Sequence, residues 1–281
     1  MSIKKIQFII VLGGVAGACF CHGGVVAQLD ARHGVAAGTN FVWRALQEGV
    51  GLVAENSDWR REGSGALAGV VNHHGAEAGP LVFDGAVTGK NVRVVVMLVR
   101  AGDSLRIRET LVCSREIFRL AGLEAHDAGE GLGVAEFERH GTFSVASWKV
   151  DGVEGAGLVA GRTQLVEVTF KQGVEMSRVG LGSDLGRREW KRGFGGAFCE
   201  LLAFEEVPPE AVMRAVRHYL RLKWRVPLAL PPLEPGDVAE GRKHGVRFGS
   251  TFATILIISS LMRETPIDLA VYSRGGAESC K

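Results

Sequence analysis

Paired carboxylates are the residues of this chain with the most direct claim to chemistry. Glu136 and Glu138 have the spacing that puts two side chains on one face of a β-strand. Glu55, Asp58 and Glu62 lie in a glycine-flanked stretch, at a spacing that does not share a strand face. A retaining glycoside hydrolase needs two carboxyl groups about 5 Å apart. Glu136 and Glu138 could face the same side of a strand, but no third acid closely follows Glu138 to complete such a site. We therefore predict no catalytic residue, and glycan hydrolysis is the weakest functional alternative.

Two short polar segments combine an indole with charged side chains, which is the mixture that sugar-binding surfaces use. One segment surrounds residue 59 and the other spans residues 183–190. The predicted ligand-binding residues are Trp190, Asp184, Arg187, Arg188, Trp59 and Asp58. The alternative is that both indoles pack against the body of the protein and the charges are solvated. An aromatic content of only 7% is low for a dedicated glycan-binding protein.

The histidines do not predict a metal site. His73 and His74 are adjacent, and adjacent residues on an extended chain point in opposite directions. Residues 180–186 have the glycines of a phosphate-binding loop but lack its Lys-Ser/Thr pair and a following helix, so they are read as a turn. Any metal ligand is therefore unknown from these residues.

The overall charge argues against nucleic acid as a partner. The 281 residues include 33 basic and 31 acidic side chains, for a formal net charge of +2. A nucleic-acid-binding domain usually shows a marked excess of Lys and Arg. An apolar content of 46% is enough to build a substantial core.

Short apolar runs separated by Gly, Asp and Asn predict an all-β fold. Residues 91–100, 165–170 and 197–204 are the clearest strands, and strands recur about every ten to fifteen residues, as in an antiparallel sandwich. One helix is predicted after Pro208-Pro209, with apolar residues at helical spacing up to Trp224. Its arginine-rich face is expected to be solvated. Residues 227–235 are Pro-rich and mark the best domain boundary.

The N-terminus is typical of an export signal. Lys4 and Lys5 precede the uncharged apolar residues 6–20, and Val25-Val26-Ala27 offers small residues, so cleavage is predicted after Ala27. Two alternatives stay open. An uncleaved leader would anchor the chain in a membrane, and Ala16-Gly17-Ala18-Cys19 is an imperfect lipoprotein motif.

Cysteines outside the leader are few and odd in number. Cys113 and Cys199 lie in apolar, strand-like runs, which favours two buried free thiols. A disulfide between them is the alternative, because a sequence does not test its geometry.

Four segments resemble the concanavalin A-like lectin/glucanase superfamily, in the LamG-like form found in exported bacterial proteins. Leu29-Asp30-Ala31 is similar to the opening strand, and residues 81–99 are similar to the early sandwich strands. Residues 148–153 (WKVDGV) resemble its W-x-V-D-G hairpin. Residues 194–224 resemble its closing segment, with Glu200, Tyr219-Leu220 and Lys223-Trp224 at matching places.

The resemblance implies a jelly roll of two antiparallel sheets, sealed by one C-terminal amphipathic helix with Tyr219 and Trp224 as packing anchors. It also implies glycan binding in many members, and it leaves calcium open as a cofactor held by loop carboxylates. The predicted organisation is a signal peptide at 1–27, a sandwich at 29–226, and a Pro-rich linker with an unassigned tail at 227–281.

The predicted function is an exported, non-catalytic module for binding or adhesion, with a glycan or another component of the cell envelope as its partner. A structural domain of a surface protein, without a ligand of its own, is the alternative. Contact with a membrane is expected only through an uncleaved leader.

Overall fold

The structure is a two-sheet antiparallel sandwich, as predicted. The computed structural model describes residues 24–36, 40–54, 59–73, 79–84, 89–103, 109–116, 119–126, 133–134, 145–183 and 193–249. Within these ranges the chain forms strands β1 to β16 and two helices, α1 and α2, and the paired strands in both sheets run antiparallel. No helix among the described residues is long and apolar enough to cross a bilayer.

Sheet A contains two long and largely buried strands, β8 and β16. Its order is β13-β12-β14-β8-β16-β6-β5, and β1 pairs with β16 beside that path. Its strands are β1 (Val25–Asp30), β5 (Trp59–Glu62), β6 (Gly69–Asn72), β8 (Asn91–Arg100), β12 (Val145–Val150), β13 (Val153–Glu154), β14 (Thr163–Glu175) and β16 (Ala197–Phe204). Every residue of β16 and most of β8 are buried. A strand covered on both faces needs a nearly continuous apolar run, which both sequences provide.

Sheet B has the order β11-β10-β9-β15-β7-β4-β3-β2. Its strands are β2 (Val35–Ala36), β3 (Phe41–Arg44), β4 (Gly51–Ala54), β7 (Leu81–Phe83), β9 (Glu109–Glu116), β10 (Arg119–His126), β11 (Gly133–Val134) and β15 (Val179–Leu181). Burial alternates along β3 and β7, with Phe41, Trp43, Leu81 and Phe83 buried. The alternation shows that one face of this sheet contributes to the core.

Helix α1 (Glu210–Trp224) lies across the outer face of sheet A. It follows Pro208-Pro209 as predicted, and it ends before Arg225, whose φ of 56° is in the left-handed region. Tyr219 and Trp224 are each 3% exposed, which confirms them as packing anchors. The helix explains why β8 and β16 are apolar on both faces.

A β-bulge at Cys199 determines which way Glu200 points. Phe198 pairs with Val99 of β8, whereas Glu200 pairs with the adjacent Leu98. Neighbouring residues on a strand point to opposite faces. In a regular strand, Phe198 and Glu200 would share a face, because one residue separates them. The extra residue of the bulge instead directs Phe198 into the core and Glu200 toward α1.

The predicted Asp-Gly hairpin is present between β12 and β13. Asp151 and Gly152 have φ values of 51° and 84°, the two positive angles that a tight type I′ turn requires. The Asp151 carboxylate also accepts hydrogen bonds from the backbone N–H of Leu165 and the side-chain amide of Gln164, at 2.8 and 2.9 Å. The carboxylate thereby ties the turn to β14.

The folded unit extends beyond both predicted boundaries. Val226, Leu228 and Val246 are buried, and α2 (Asp237–Lys243) packs beside α1. Within the Pro-rich stretch that the sequence predicts as a linker, Leu228 is buried, whereas the four prolines are exposed. At the other end, β1 starts at Val25, before the predicted cleavage site. Residues 1–23 and 250–281 lie outside the described residues.

We expect a chain that ends at residue 226 to be less stable than one that ends at residue 249. Burying each of Leu228 and Val246 contributes about 1.5–3 kcal/mol, so the free energy of unfolding should fall by roughly 3 kcal/mol or more. Urea unfolding of the two chains, both starting at the same residue, measures the difference. Equal midpoints would show that residues 227–249 are a dispensable extension.

Candidate functional site

A cluster of buried polar side chains lies where β1, β16 and α1 meet. We call it the Glu200 cluster. Its members are Gln28, Asp30, Glu200, Tyr219, Lys223 and Trp224. Charged side chains are rarely buried without partners, so the contacts within the cluster decide what it can do.

Lys223 lies at the centre of the Glu200 cluster. Its Nζ is 2.6 Å from Glu200 Oε2 and 2.9 Å from Asp30 Oδ2. It also donates a hydrogen bond to the hydroxyl oxygen of Tyr219, one helical turn earlier. Glu200 is fully buried and Asp30 is 3% exposed. The ammonium group therefore bridges two carboxylates from two neighbouring strands.

Glu200 also accepts hydrogen bonds from two other side chains. The indole N–H of Trp224 donates to Glu200 Oε2 at 2.6 Å, and the amide of Gln28 donates to Glu200 Oε1 at 3.2 Å. The amide of Gln28 further donates to the Arg247 carbonyl at 3.2 Å, while its oxygen accepts from the Arg247 N–H at 2.9 Å. Gln28 thus connects the cluster to the segment after α2.

Arg32 covers the solvent side of the cluster. Its guanidinium donates to both oxygens of Asp30, at 2.9 to 3.2 Å, and lies 5.1 Å from the centre of the Trp224 ring. The second contact is a cation–π interaction. Arg32 is the most exposed part of this arrangement, with a side-chain exposure of 28%.

The environment shifts the acid–base behaviour of two members. Burial alone would raise the pKa of Asp30, but the hydrogen bonds from Arg32 and the charge of Lys223 outweigh burial, so this pKa is below its usual value. Burial and the nearby Glu200 carboxylate both raise the pKa of Tyr219. Asp30 stays ionised and Tyr219 stays protonated at neutral pH.

These contacts define the Glu200 cluster as a structural clamp. Lys223 is held between two carboxylates and the Tyr219 hydroxyl, and its side chain is only 10% exposed, so it links α1 to β1 and β16. Cys199, beside Glu200, is a free thiol that is 1% exposed, and burial raises its pKa to about 12. A thiol with that pKa is a poor nucleophile at neutral pH. Because Cys199 is free, it forms no disulfide with Cys113.

A second charged contact holds the other half of α1 on sheet A. Arg217 donates to both carboxylate oxygens of Glu167 on β14, at 2.7 and 2.9 Å, and it also contacts Glu210. Hydrogen bonding to Glu167 raises the pKa of Arg217. Arg217 is only 8% exposed, so the prediction of a solvated arginine face is wrong at this position.

The sequence contains the members of these clusters but not their pairing. Glu200 and Asp30 are charged residues in otherwise apolar strands, and that is the only local signal of a buried partner. Nothing in the spacing links Glu167 to Arg217, which are 50 residues apart.

Trp59 lies at a corner of the sandwich where several chain segments meet. Its ring is 1% exposed and packs 6.0 Å from the ring of Phe198, and its N–H donates to the Gly79 carbonyl at 2.8 Å. Gly182, with a φ of 73°, lies so close that a Cβ there would be 2.3 Å from the Trp59 ring. The Trp59 ring therefore packs within the core, which is the alternative that the sequence left open.

The same corner contains the ends of both predicted binding segments. Phe194 N–H donates to the Gly182 carbonyl at 2.8 Å, and Asn72, which pairs with Trp59, donates to the Phe194 carbonyl at 3.2 Å. We call this place the Trp59 corner, formed by Trp59, Asn72, Gly182, Phe194 and Phe198. The structure brings together two segments that are more than 100 residues apart in the sequence.

The other predicted binding residues lie outside the described residues. They are Asp58, Asp184, Arg187, Arg188 and Trp190. Asp58 directly precedes Trp59, and Asp184 directly follows Ser183, so both segments start from the Trp59 corner. Their role in binding stays a prediction. Glu136 and Glu138 also lie outside the described residues.

The described residues contain no group of three or more His, Cys, Asp or Glu side chains that are placed to hold a metal ion. Among the described histidines, His73 lies 3.0 Å from Glu62 in an ion-pair geometry on the surface. Calcium therefore stays an open prediction for carboxylates elsewhere in the chain.

Comparison with known proteins places the chain in no family. No family model matches it, and no curated protein matches its sequence. Among solved structures, the search finds the Trypanosoma rangeli sialidase in complex with sialic acid, at 15% identity and a TM-score of 0.37. The match covers 67% of this chain and 32% of the sialidase chain, so it spans about a third of that protein. A likeness this low carries no argument about activity.

The fold and its clusters define a class: a two-sheet antiparallel β-sandwich with a helix held across one sheet by buried ion pairs. Membership of the concanavalin A-like superfamily stays a prediction that depends on the quoted segments. Two of those segments supply the Glu200 cluster: the opening strand through Asp30, and the closing segment through Glu200 and Lys223-Trp224. The likeness in sequence therefore corresponds to one physical contact.

We expect Lys223→Met to lower the free energy of unfolding by about 3–5 kcal/mol, because Glu200 would keep a buried charge without its cation. The matched control is Lys243→Met. Lys243 is 69% exposed and pairs with Glu240 on the surface, where solvent screening leaves an ion pair with little effect on stability. Urea unfolding at neutral pH measures both variants. Similar losses in the two would contradict the assignment of Lys223 as a clamp.

The lowered pKa of Asp30 predicts a specific acid sensitivity. At pH above the ordinary value of 3.8 the carboxylate is ionised in both states, and its contribution to stability is fully present. As the pH falls below that value, the unfolded chain takes up a proton first, and this contribution is lost.

At neutral pH, Asp30→Asn should be less stable than the wild type. When the pH is lowered from neutrality to below 3.8, the free energy of unfolding of Asp30→Asn should therefore fall by less than that of the wild type. Urea midpoints measured across this range give the comparison. Asp103→Asn changes an exposed aspartate outside the cluster and should follow the wild-type curve. A curve for Asp30→Asn parallel to the wild type would exclude the proposed role of Asp30.

Proposed function

We propose that this protein is an exported, non-catalytic β-sandwich module that binds or adheres at the cell envelope, with carbohydrate as its ligand class. The observation that carries the proposal is the convergence of two binding segments on the Trp59 corner. Sugar recognition needs an aromatic face beside a few polar groups. The segments that start there contain Trp190, two arginines and two aspartates.

The rigidity of the corner supports this use. Trp59, Phe194 and Phe198 form a chain of ring contacts, with centroids 6.0 and 5.4 Å apart. A binding loop benefits from a rigid base, because less conformational entropy is lost when the ligand binds. Trp59 belongs to that base, and Trp190 is the proposed stacking residue.

The buried carboxylates support a non-catalytic role. Asp30, Glu200 and Glu167 are each held by a lysine or an arginine. A general acid needs a carboxyl group whose pKa is raised toward neutrality, and the pKa of Asp30 is lowered. These acids are better explained as parts of clamps than as an acid–base pair.

A glycan array tests the proposal. We expect the wild type to bind at least one glycan class, and Trp190→Ala to lose binding about tenfold or more, as removal of a stacking anchor does. Trp148→Ala is the matched control, because Trp148 lies on β12, near the opposite edge of sheet A from the Trp59 corner. It should bind like the wild type.

Two results would contradict this function. Full binding by Trp190→Ala would move the site away from the Trp59 corner. No binding by the wild type to any glycan would favour a structural domain without its own ligand, a role that the two clamps on α1 also fit.

A further inference from the structure

The first residues of β1 are built into the sandwich on both sides. Val25 pairs with Phe204 and Ala27 pairs with Ala203 of β16. The Val25 N–H donates to the His244 carbonyl at 2.7 Å, and the Gly24 carbonyl accepts from the Glu205 N–H at 3.2 Å. Val26 is 4% exposed and Ala27 is fully buried. These residues belong to the folded domain as fully as the rest of the strand.

Cleavage after Ala27 would remove half of β1. A leader peptidase acts on the chain before it folds, so pairing does not shield this bond. The loss appears in the product, which would lack the buried Val26 and Ala27 and the partly buried Val25, and would leave the edge of β16 and the His244 carbonyl without their partners. The loss of these backbone hydrogen bonds and of buried apolar surface is destabilising. A mature chain that keeps the whole domain must begin no later than Gly24.

We propose that the leader is removed at the Ala18–Cys19 bond, an inference that rests on the proposed export. Before Gly24, an Ala-x-Ala pattern occurs at Ala16-Gly17-Ala18, within the last five residues of the apolar segment 6–20. Small residues at these two places are what a leader peptidase recognises. Water hydrolyses the amide bond, so that Ala18 gains a carboxylate and Cys19 a free α-amine. The mature chain then keeps all of β1.

The full-length chain, produced in a bacterial host that exports it, gives the test. N-terminal sequencing and intact mass of the exported protein should place the first residue at Cys19. Cleavage of the Ala18–Cys19 bond is identified equally by a mature chain whose Cys19 is free and by one whose Cys19 carries a lipid. Ala18→Gln should abolish the processed form, whereas Gly17→Gln, which places the same side chain at the unrestricted middle position, should be processed normally.

Each contrary result has its own meaning. An exported chain that begins at Gln28, or that keeps its leader, overturns the cleavage site while export stands. An uncut chain that stays in the cytoplasm overturns export itself, and the cleavage site with it.

A stability measurement checks the physical premise separately. A chain starting at Cys19 should unfold at a higher urea midpoint than a chain starting at Gln28. Equal midpoints would overturn the argument from β1.

Discussion

The ammonium group of Lys223 lies between two buried carboxylates, those of Asp30 and Glu200, which come from the first and the last strand of the described chain. Bringing three charges out of water is unfavourable unless each finds a partner. The Glu200 cluster meets that condition with Arg32, Trp224 and the amide of Gln28 as further donors. The position of α1 on sheet A, and the closure of β1 onto β16, both depend on this arrangement.

Helix α1 in turn determines how the two sheets differ. It covers the outer face of sheet A, held at one end by the Glu200 cluster and farther along by Arg217 with Glu167. The central strands β8 and β16 are consequently buried on both faces, whereas β3 and β7 of sheet B alternate. This division places the charged clusters on the helix side of sheet A and the aromatic Trp59 corner at the edge of the core between the sheets.

The two regions have different roles. The charges of the Glu200 cluster are satisfied internally, so this region serves stability. The Trp59 corner is mostly aromatic, and the two predicted binding segments start from it. When loops on a rigid sandwich bind a ligand, little conformational entropy is lost, because only the loops need to be ordered on binding. The proposed carbohydrate site follows from that division.

Local patterns in the sequence predict much of this fold but not its contacts. Alternating and continuous apolar runs predict the strands, the spacing up to Trp224 predicts α1, and Asp151-Gly152 predicts its hairpin, because each depends on residues close together in the chain. The bulge at Cys199, the pairing of Arg217 with Glu167 and the packing of residues 226–249 depend on distant segments, so only the tertiary structure decided them.

The binding residues were predicted from their side-chain types alone. Only the fold showed that Trp59 is a core residue and that both predicted binding segments start from one corner. Sequence alone determined the class of fold because burial follows local periodicity; the tertiary structure decided which charges meet because a charge pair has no preferred spacing along the chain.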